Sequence, residues 1–353
     1  MFKKAFLLLL LVLLVAAVVY RDLLAYGLAQ ARGQFGILYE ARPLAEVLAN
    51  PTLPDSVKAR IRLISEIKQF AIDSLGLDPS DSYTTYYDQH NKPILWVITA
   101  AQKYKMVAKE WSFPIIGAFA YKGFFDSTKA VTAQLELDHE GFDTNMGEVS
   151  AWSTLGFFSD PILSSMLRRS EGSLANLIIH EMTHGTLFIK DNLEYNENLA
   201  SFVGDYGAIR FLKHRFGINS PQLERYQYNK KYGDAYANHV LRGAKQLDSL
   251  YLIFEKQKIA QLKKNALKIA VIQRIMNTTD TLLGGKQTTA PRRWNKQELP
   301  NNAFFIGYLT YRSQQNEFQQ EFEGRFKGNF PQYLAFLKAK YPSLWLQPFL
   351  ELE

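Results

Sequence analysis

The chain opens on an unbroken apolar run. Lys3 and Lys4 precede a leucine- and valine-rich stretch from Ala5 to about Tyr20, and Arg21-Asp22 closes it. Beyond that point helical and strand periods alternate. Ala41 to Leu75 reads as helical. Pro51 and Pro54 mark a turn, after which Ile61, Ile64, Ile67, Phe70 and Ala71 recur at the spacing of a helix with one buried face. Tyr83 to Tyr87 and Ile94 to Thr99 read as strands around a turn at Asp88 to Pro93. Trp111 to Tyr121 is a further strand-like, aromatic-rich run. Gly123 to Asp126 leads into a helix through about Glu140, with Ser127 as a cap, and Gly147 to Leu155 is the last strand candidate. From Pro221 to Leu283 the pattern is largely helical, with Leu247, Leu250, Ile253 and Phe254 on one stripe. Gly284-Gly285 to Pro291 reads as a loop, and a terminal helix lies around Phe330 to Tyr341. No internal repeat is visible. Strands interleaved with helices and then mostly helix predict an α+β fold, with a small mixed sheet and a largely helical C-terminal part.

The densest apolar segment is Leu174, Leu177, Ile178, Ile179, Met182, Leu187 and Phe188. It carries His180-Glu181-Met182-Thr183-His184, an HExxH pattern. On a helix, positions four apart lie within roughly 40° of each other and about 6 Å apart along the axis, so His180 and His184 can hold one metal ion. Glu181 is about 100° away from His180, placed for a general base rather than a ligand. Lys190-Asp191-Asn192 then interrupts the pattern, and Asp191 with Glu194 resembles a capping box opening a second helix. On that helix Glu197 shares a face with Ala200, Ser201, Gly204 and Ala208. Those small residues allow close approach to the first helix, which makes Glu197 the natural third ligand. Two imidazoles, a carboxylate and an open position suit one Zn2+ per chain.

Composition narrows the class. With 353 residues, 47% hydrophobic and 14% aromatic, the chain is globular with an ample core. The net charge of +7 is dispersed, and no stacking motif or basic arm argues for nucleic acid. There are no cysteines, so disulfides, thiol catalysis and lipid attachment to cysteine are excluded. The N-terminal run has the form of an export signal without a convincing cleavage site. It predicts an uncleaved anchor over residues 1–22 in a cell inner membrane, with Lys3 and Lys4 in the cytoplasm and the bulk on the periplasmic side. Cleaved secretion is the alternative. Residues 23–353 then form the metal-dependent domain: strands to about 160, metal helices over 172–213, and a helical part over 220–353.

Further motifs carry a resemblance. Gln30-Ala31-Arg32-Gly33-Gln34, Ala41-Arg42-Pro43, Trp111-Ser112-Phe113-Pro114, Tyr121 to Asp126, Trp152 to Phe158, Asp160-Pro161, Asn196-Glu197, Asn301-Asn302-Ala303 and Thr310-Tyr311 follow one another in an order that resembles a bacterial family of predicted zinc aminopeptidases. The resemblance spans nearly the whole chain. It implies a gluzincin-type, zincin-like metallopeptidase with His180, His184 and Glu197 on zinc and Glu181 as base. Two features depart from that pattern. Many such proteins look like lipoproteins, whereas this chain has no cysteine. Ser201 also occupies the place where an aspartate orients a ligand in thermolysin-like sites, and Asp205 lies one turn further on.

The expected reaction is hydrolysis of a peptide or protein substrate. Gluzincins commonly use a tyrosine or histidine to stabilise the oxyanion; Tyr311 is the first candidate and Tyr308 the second. Glu148 and Glu194 are candidates for holding a substrate ammonium, and Glu148 to Ser153 for an edge strand that pairs with substrate backbone. Three readings follow: a membrane-anchored zinc aminopeptidase, a zinc endopeptidase of the cell envelope, and a zinc-stabilised scaffold without turnover.

Overall fold

A computed structural model describes residues 2–113, 117–148, 159–190, 192–279, 282 and 298–341. The chain begins with two consecutive helices, α1 (Phe2–Val19) and α2 (Arg21–Glu40). Strand β1 (Arg42–Pro43), α3 (Leu44–Ala49) and α4 (Asp55–Leu75) follow. Six strands and one helix come next: β2 (Thr85–Tyr87), β3 (Trp96–Gln102), β4 (Trp111–Phe113), β5 (Gly117–Phe119), β6 (Tyr121–Phe124), α5 (Ser127–His139) and β7 (Phe142–Glu148). After β8 (Ile162–Leu163) the rest is helical: α6 (Glu171–Thr186), α7 (Leu193–Phe216), α8 (Pro221–Lys256), α9 (Gln261–Asn277), α10 (Asn302–Arg312), α11 (Gln315–Phe326) and α12 (Phe330–Lys340).

The strands form small sheets. In one, β3 lies between β6 and β7, antiparallel to both, with Trp96 opposite Phe124 and Glu148. In a second, β2 pairs antiparallel with β1 and parallel with β8, so that sheet is mixed. β4 and β5 make a hairpin of their own.

Apolar clusters hold the molecule together, the smallest of them Ala101, Ala303 and Ile306, where β3 meets α10. The largest joins α4, α6, α7, α11 and α12 around fully buried Ile61, Ile64, Ile67, Ile178, Ile179 and Tyr333. The stripe predicted on α4 is the face that enters it. Gly76 ends α4 with φ 70°, the left-handed position that lacks a Cβ penalty only for glycine. A second cluster packs α8, α9 and Phe305 of α10. A third fills the space between α5 and the β3–β6 pair. The buried ion pair of Lys268 and Asp143 ties α9 to β7, and Asp143 also accepts from the Asn302 backbone at the start of α10.

Several boundaries differ from expectation. The Trp111–Tyr121 run folds as β4 and β5, with Tyr121 opening β6, and 114–116 lie outside the described residues. The strand predicted from Gly147 is β7, which runs earlier, from Phe142 to Glu148, and the two-residue β8 follows it before α6. Polar Asp143 and Thr144 hid the start of β7, because their side chains are spent on Lys268 and Asp138. The remainder of the predicted strand, 149–155, lies outside the described residues, as does the 284–291 loop. Helix α5 is capped by Asp126 rather than Ser127, and α7 by Asn192, whose side chain accepts from the Tyr195 backbone. Asp191 itself lies outside the described residues.

Candidate functional site

The site is built where α6 and α7 cross. Helix α6 starts on the Ser170 cap and buries Leu174, Ala175, Ile178, Ile179 and Met182, so it is apolar around most of its circumference and runs through the core. α7 approaches it closely for a local reason. A Cβ on Gly204 would stand 2.9 Å from the Asn176 carbonyl oxygen and 3.3 Å from the His180 Cβ; one on Gly207 would stand 2.8 Å from the Ile179 and Leu75 side chains. Only glycine allows the two backbones this separation. Of the small residues predicted on that face, Ala200 and Ala208 are fully buried.

The close approach brings three ligand-type side chains to one point. His180 Nε2 and His184 Nε2 are 3.2 Å apart, with their rings nearly perpendicular. Glu197 Oε2 lies 3.3 Å from His180 Nε2, and Oε1 lies 3.6 Å from His184 Nε2. All three residues offer donor atoms within 4.8 Å of one another. Burial opposes a charge on Glu197, yet His184 and His180 outweigh it and hold the carboxyl well below the ordinary range. Burial likewise opposes a charge on His184, and Glu197 and then Glu181 reverse that and raise its pKa.

Two buried amides flank Glu197 in the chain and tie α7 to its neighbours. Asn196 accepts from the Ile189 N–H at 2.9 Å and donates to the Ile189 carbonyl at 2.7 Å, clamping the α6–α7 connection. Asn198 donates to the Thr310 carbonyl at 2.7 Å and accepts from the Gln314 N–H at 3.0 Å, tying the end of α10 to α7. That tie delivers Tyr311 to the site.

Tyr311 lines a cleft with His180 and Glu181 and keeps 39% of its surface accessible. Confinement there, then Glu197, Tyr121 and Glu181, push its hydroxyl pKa well up. Tyr308, the second candidate, packs instead against Tyr236 and Phe304 in the α8–α10 cluster. The structure adds two tyrosines that sequence reasoning did not single out for chemistry. Burial, then Glu197 and Glu181, raise the pKa of Tyr121 at the start of β6. Tyr83 is buried with φ 64°, a sparsely populated conformation for a bulky residue, and its N–H donates to the Asp160 carbonyl at 2.6 Å. Its hydroxyl is raised by burial and then by Glu181. Both come from strand-rich segments far from the HExxH pattern, and no local spacing points to either.

The cleft encloses roughly 440 Å³ and is polar. Arg169, Ser173, Asn176, Asp205, Lys230 and Arg312 line it together with the site residues. A larger cleft lies between α2 and the sheet, remote from the His/Glu cluster. Asp205 holds its position by accepting from Asn176 at 3.0 Å and Tyr226 at 2.6 Å, and it pairs with Lys230 at 3.0 Å. Among the described residues its partners are therefore other groups lining the cleft, Asn176, Tyr226 and Lys230. Neither ammonium-site candidate lines the cleft. Glu194 accepts from Ser313 at 2.6 Å, and Glu148 ends β7 opposite Trp96. Residues 149–153 of the proposed substrate-pairing strand lie outside the described residues.

No curated protein and no solved structure matches the chain. A protein family does: the one described as "Putative aminopeptidase" matches residues 25–340, from near the start of α2 through α12, and the chain belongs to that family.

Proposed function

We propose that the chain is a zinc-dependent peptidase of gluzincin type with a zincin-like catalytic domain, acting as an aminopeptidase. The observation that carries this is the convergence of His180, His184 and Glu197 beside Glu181. A zinc–ligand distance of about 2.0–2.1 Å implies tetrahedral donor–donor separations of about 3.3–3.4 Å. The separations here, 3.2, 3.3 and 3.6 Å, suit such an ion. Glu197 held ionised by the histidines is the donor chemistry a divalent cation requires.

When bound, zinc supplies a Lewis acid that polarises water and the scissile carbonyl. Glu181 lines the same cleft and is not committed to the cluster. It takes the proton from the attacking water and returns it to the leaving amine. Tyr311, kept protonated by its raised pKa, donates a hydrogen bond to the carbonyl oxygen as it gains charge. Burial, then Glu197 and Glu181, likewise keep the Tyr121 hydroxyl protonated.

Endopeptidase action on the same residues is favoured by one observation. Among the described residues that line the cleft the carboxylates are Glu181 and Asp205, and Asp205 is already paired, which leaves none for a substrate ammonium. Hydrolysis of matched peptides with free and acetylated N-termini separates the two. Loss of cleavage on acetylation supports the aminopeptidase, and retained cleavage supports the endopeptidase. No cleavage of either by zinc-loaded protein contradicts both and leaves the non-catalytic scaffold.

A further inference from the structure

Arg312 has no part in the chemistry above, yet it stands on α10 immediately after Tyr311 and lines the same cleft as His180 and Glu181. The carboxylates around it are already served by Lys230, which lies 3.0 Å from Asp205 Oδ2 and 2.7 Å from Asp234 Oδ2. The other oxygen of Asp205 accepts from Asn176 and Tyr226. Arg312 Nη1 is left 3.7 Å from Asp205 and 3.6 Å from Asp234, beyond hydrogen-bond length. Those carboxylates hold the guanidinium in place without consuming its five donors, a fork shaped for two carboxylate oxygens. Arg169 and Lys230 also line the cleft, Lys230 already paired with Asp205 and Asp234, and of the two carboxylates lining it Asp205 is spent and Glu181 is the base.

We propose that Arg312 binds a carboxylate of the substrate, so that the cleft selects peptides carrying one close to the scissile bond. This rests on the peptidase reading of the same cleft. Two sources share the chemistry: the terminal α-carboxylate of a short peptide, and the side chain of an aspartate or glutamate after the cleaved bond. A charge-assisted, bidentate contact is worth about tenfold or more in affinity.

The test is binding to the full-length, zinc-loaded Glu181→Gln protein, measured by calorimetry with alanyl-alanine, alanyl-alanine amide and alanyl-glutamate amide. The expected result is that at least one carboxylate ligand binds about tenfold or more tighter than alanyl-alanine amide. Tight alanyl-alanine identifies the α-carboxylate, and tight alanyl-glutamate amide the side chain. Adding Arg312→Gln removes the difference. Arg312→Lys, which keeps the charge without the fork, retains part of it and serves as the comparison where the glutamine variant does not fold. Equal binding of all three ligands, binding of none, or a preference that survives Arg312→Gln overturns the proposal. Peptide turnover by the Glu181→Gln protein contradicts the role given to Glu181 instead and leaves the binding comparison to judge Arg312.

Discussion

Glu181 and Tyr311 divide the work in this account: one moves a proton, the other meets developing negative charge. Glu181→Gln should lower kcat by about 10²–10⁴-fold with metal content unchanged, measured by peptide hydrolysis beside elemental analysis. Tyr311→Phe should cost about 10²–10³-fold in kcat with little change in KM. A raised KM with kcat unchanged would move Tyr311 from the oxyanion to ground-state binding. His184 sets the pH behaviour. Glu197 and Glu181 raise its pKa against the opposing effect of burial, so the imidazole keeps its proton to higher pH than a free histidine, and a metal must displace that proton. Metal affinity should therefore fall as pH drops through and below the neutral range, read by competition with a chromophoric chelator; affinity that rises on acidification contradicts this. At this scale HExxH and Glu197 were legible because their chemistry depends on spacing along helices. Tyr83 and Tyr121 were not, because the strand-rich segments that carry them into the influence of Glu181 are placed by the fold.

The site depends on how closely α6 and α7 approach. Gly204→Val places a branched side chain where a Cβ alone would stand 2.9 Å from the Asn176 carbonyl oxygen. It should cost about 1–3 kcal/mol of stability and weaken metal retention, both measurable by thermal unfolding with and without zinc. A neutral result would mean that α7 can shift without moving Glu197. Asn198→Ala frees the Thr310 carbonyl and the Gln314 N–H, the ties that hold the end of α10. It should reproduce the kcat loss of Tyr311→Phe and add little to it in the double variant, while metal content stays the same. The apolar seam of α6 and the small face of α7 were visible in the sequence. The caps slipped by one residue, to Asp126 and Asn192, because neighbouring Asp, Asn and Ser side chains cap alike and only the backbone decides among them. The clamping roles of Asn196 and Asn198 were hidden, since a buried amide shows its purpose only through its partners.

Across the whole molecule, the proposed catalytic domain hangs from an apolar helix. α1 has 18 residues with mean hydropathy 2.6, long and apolar enough by length and composition to cross a membrane. α2 continues from it, and its docking was not anticipated. The Tyr26 hydroxyl and Gln30 both donate to the Gly123 carbonyl, and Ile37 is buried in the main core. We propose that α1 is an uncleaved inner-membrane anchor, with α2 holding the domain on the periplasmic side. Full-length protein should stay in the membrane pellet after alkaline carbonate extraction; release into the supernatant contradicts the anchor. The order of strands, then α6 and α7, then further helices was legible from periodicity. α10 and α11 were not assigned: the buried residues of α10 divide between two clusters, and α11 enters the main core through Phe318, Phe322 and Phe326 set among polar neighbours. The central claim concerns one metal ion, and elemental mass spectrometry of purified full-length protein beside Glu197→Ala tests it most directly. About one zinc per chain in the parent, with markedly weaker retention in the variant, is the predicted result. A parent that holds no zinc and takes none up when it is supplied would contradict it.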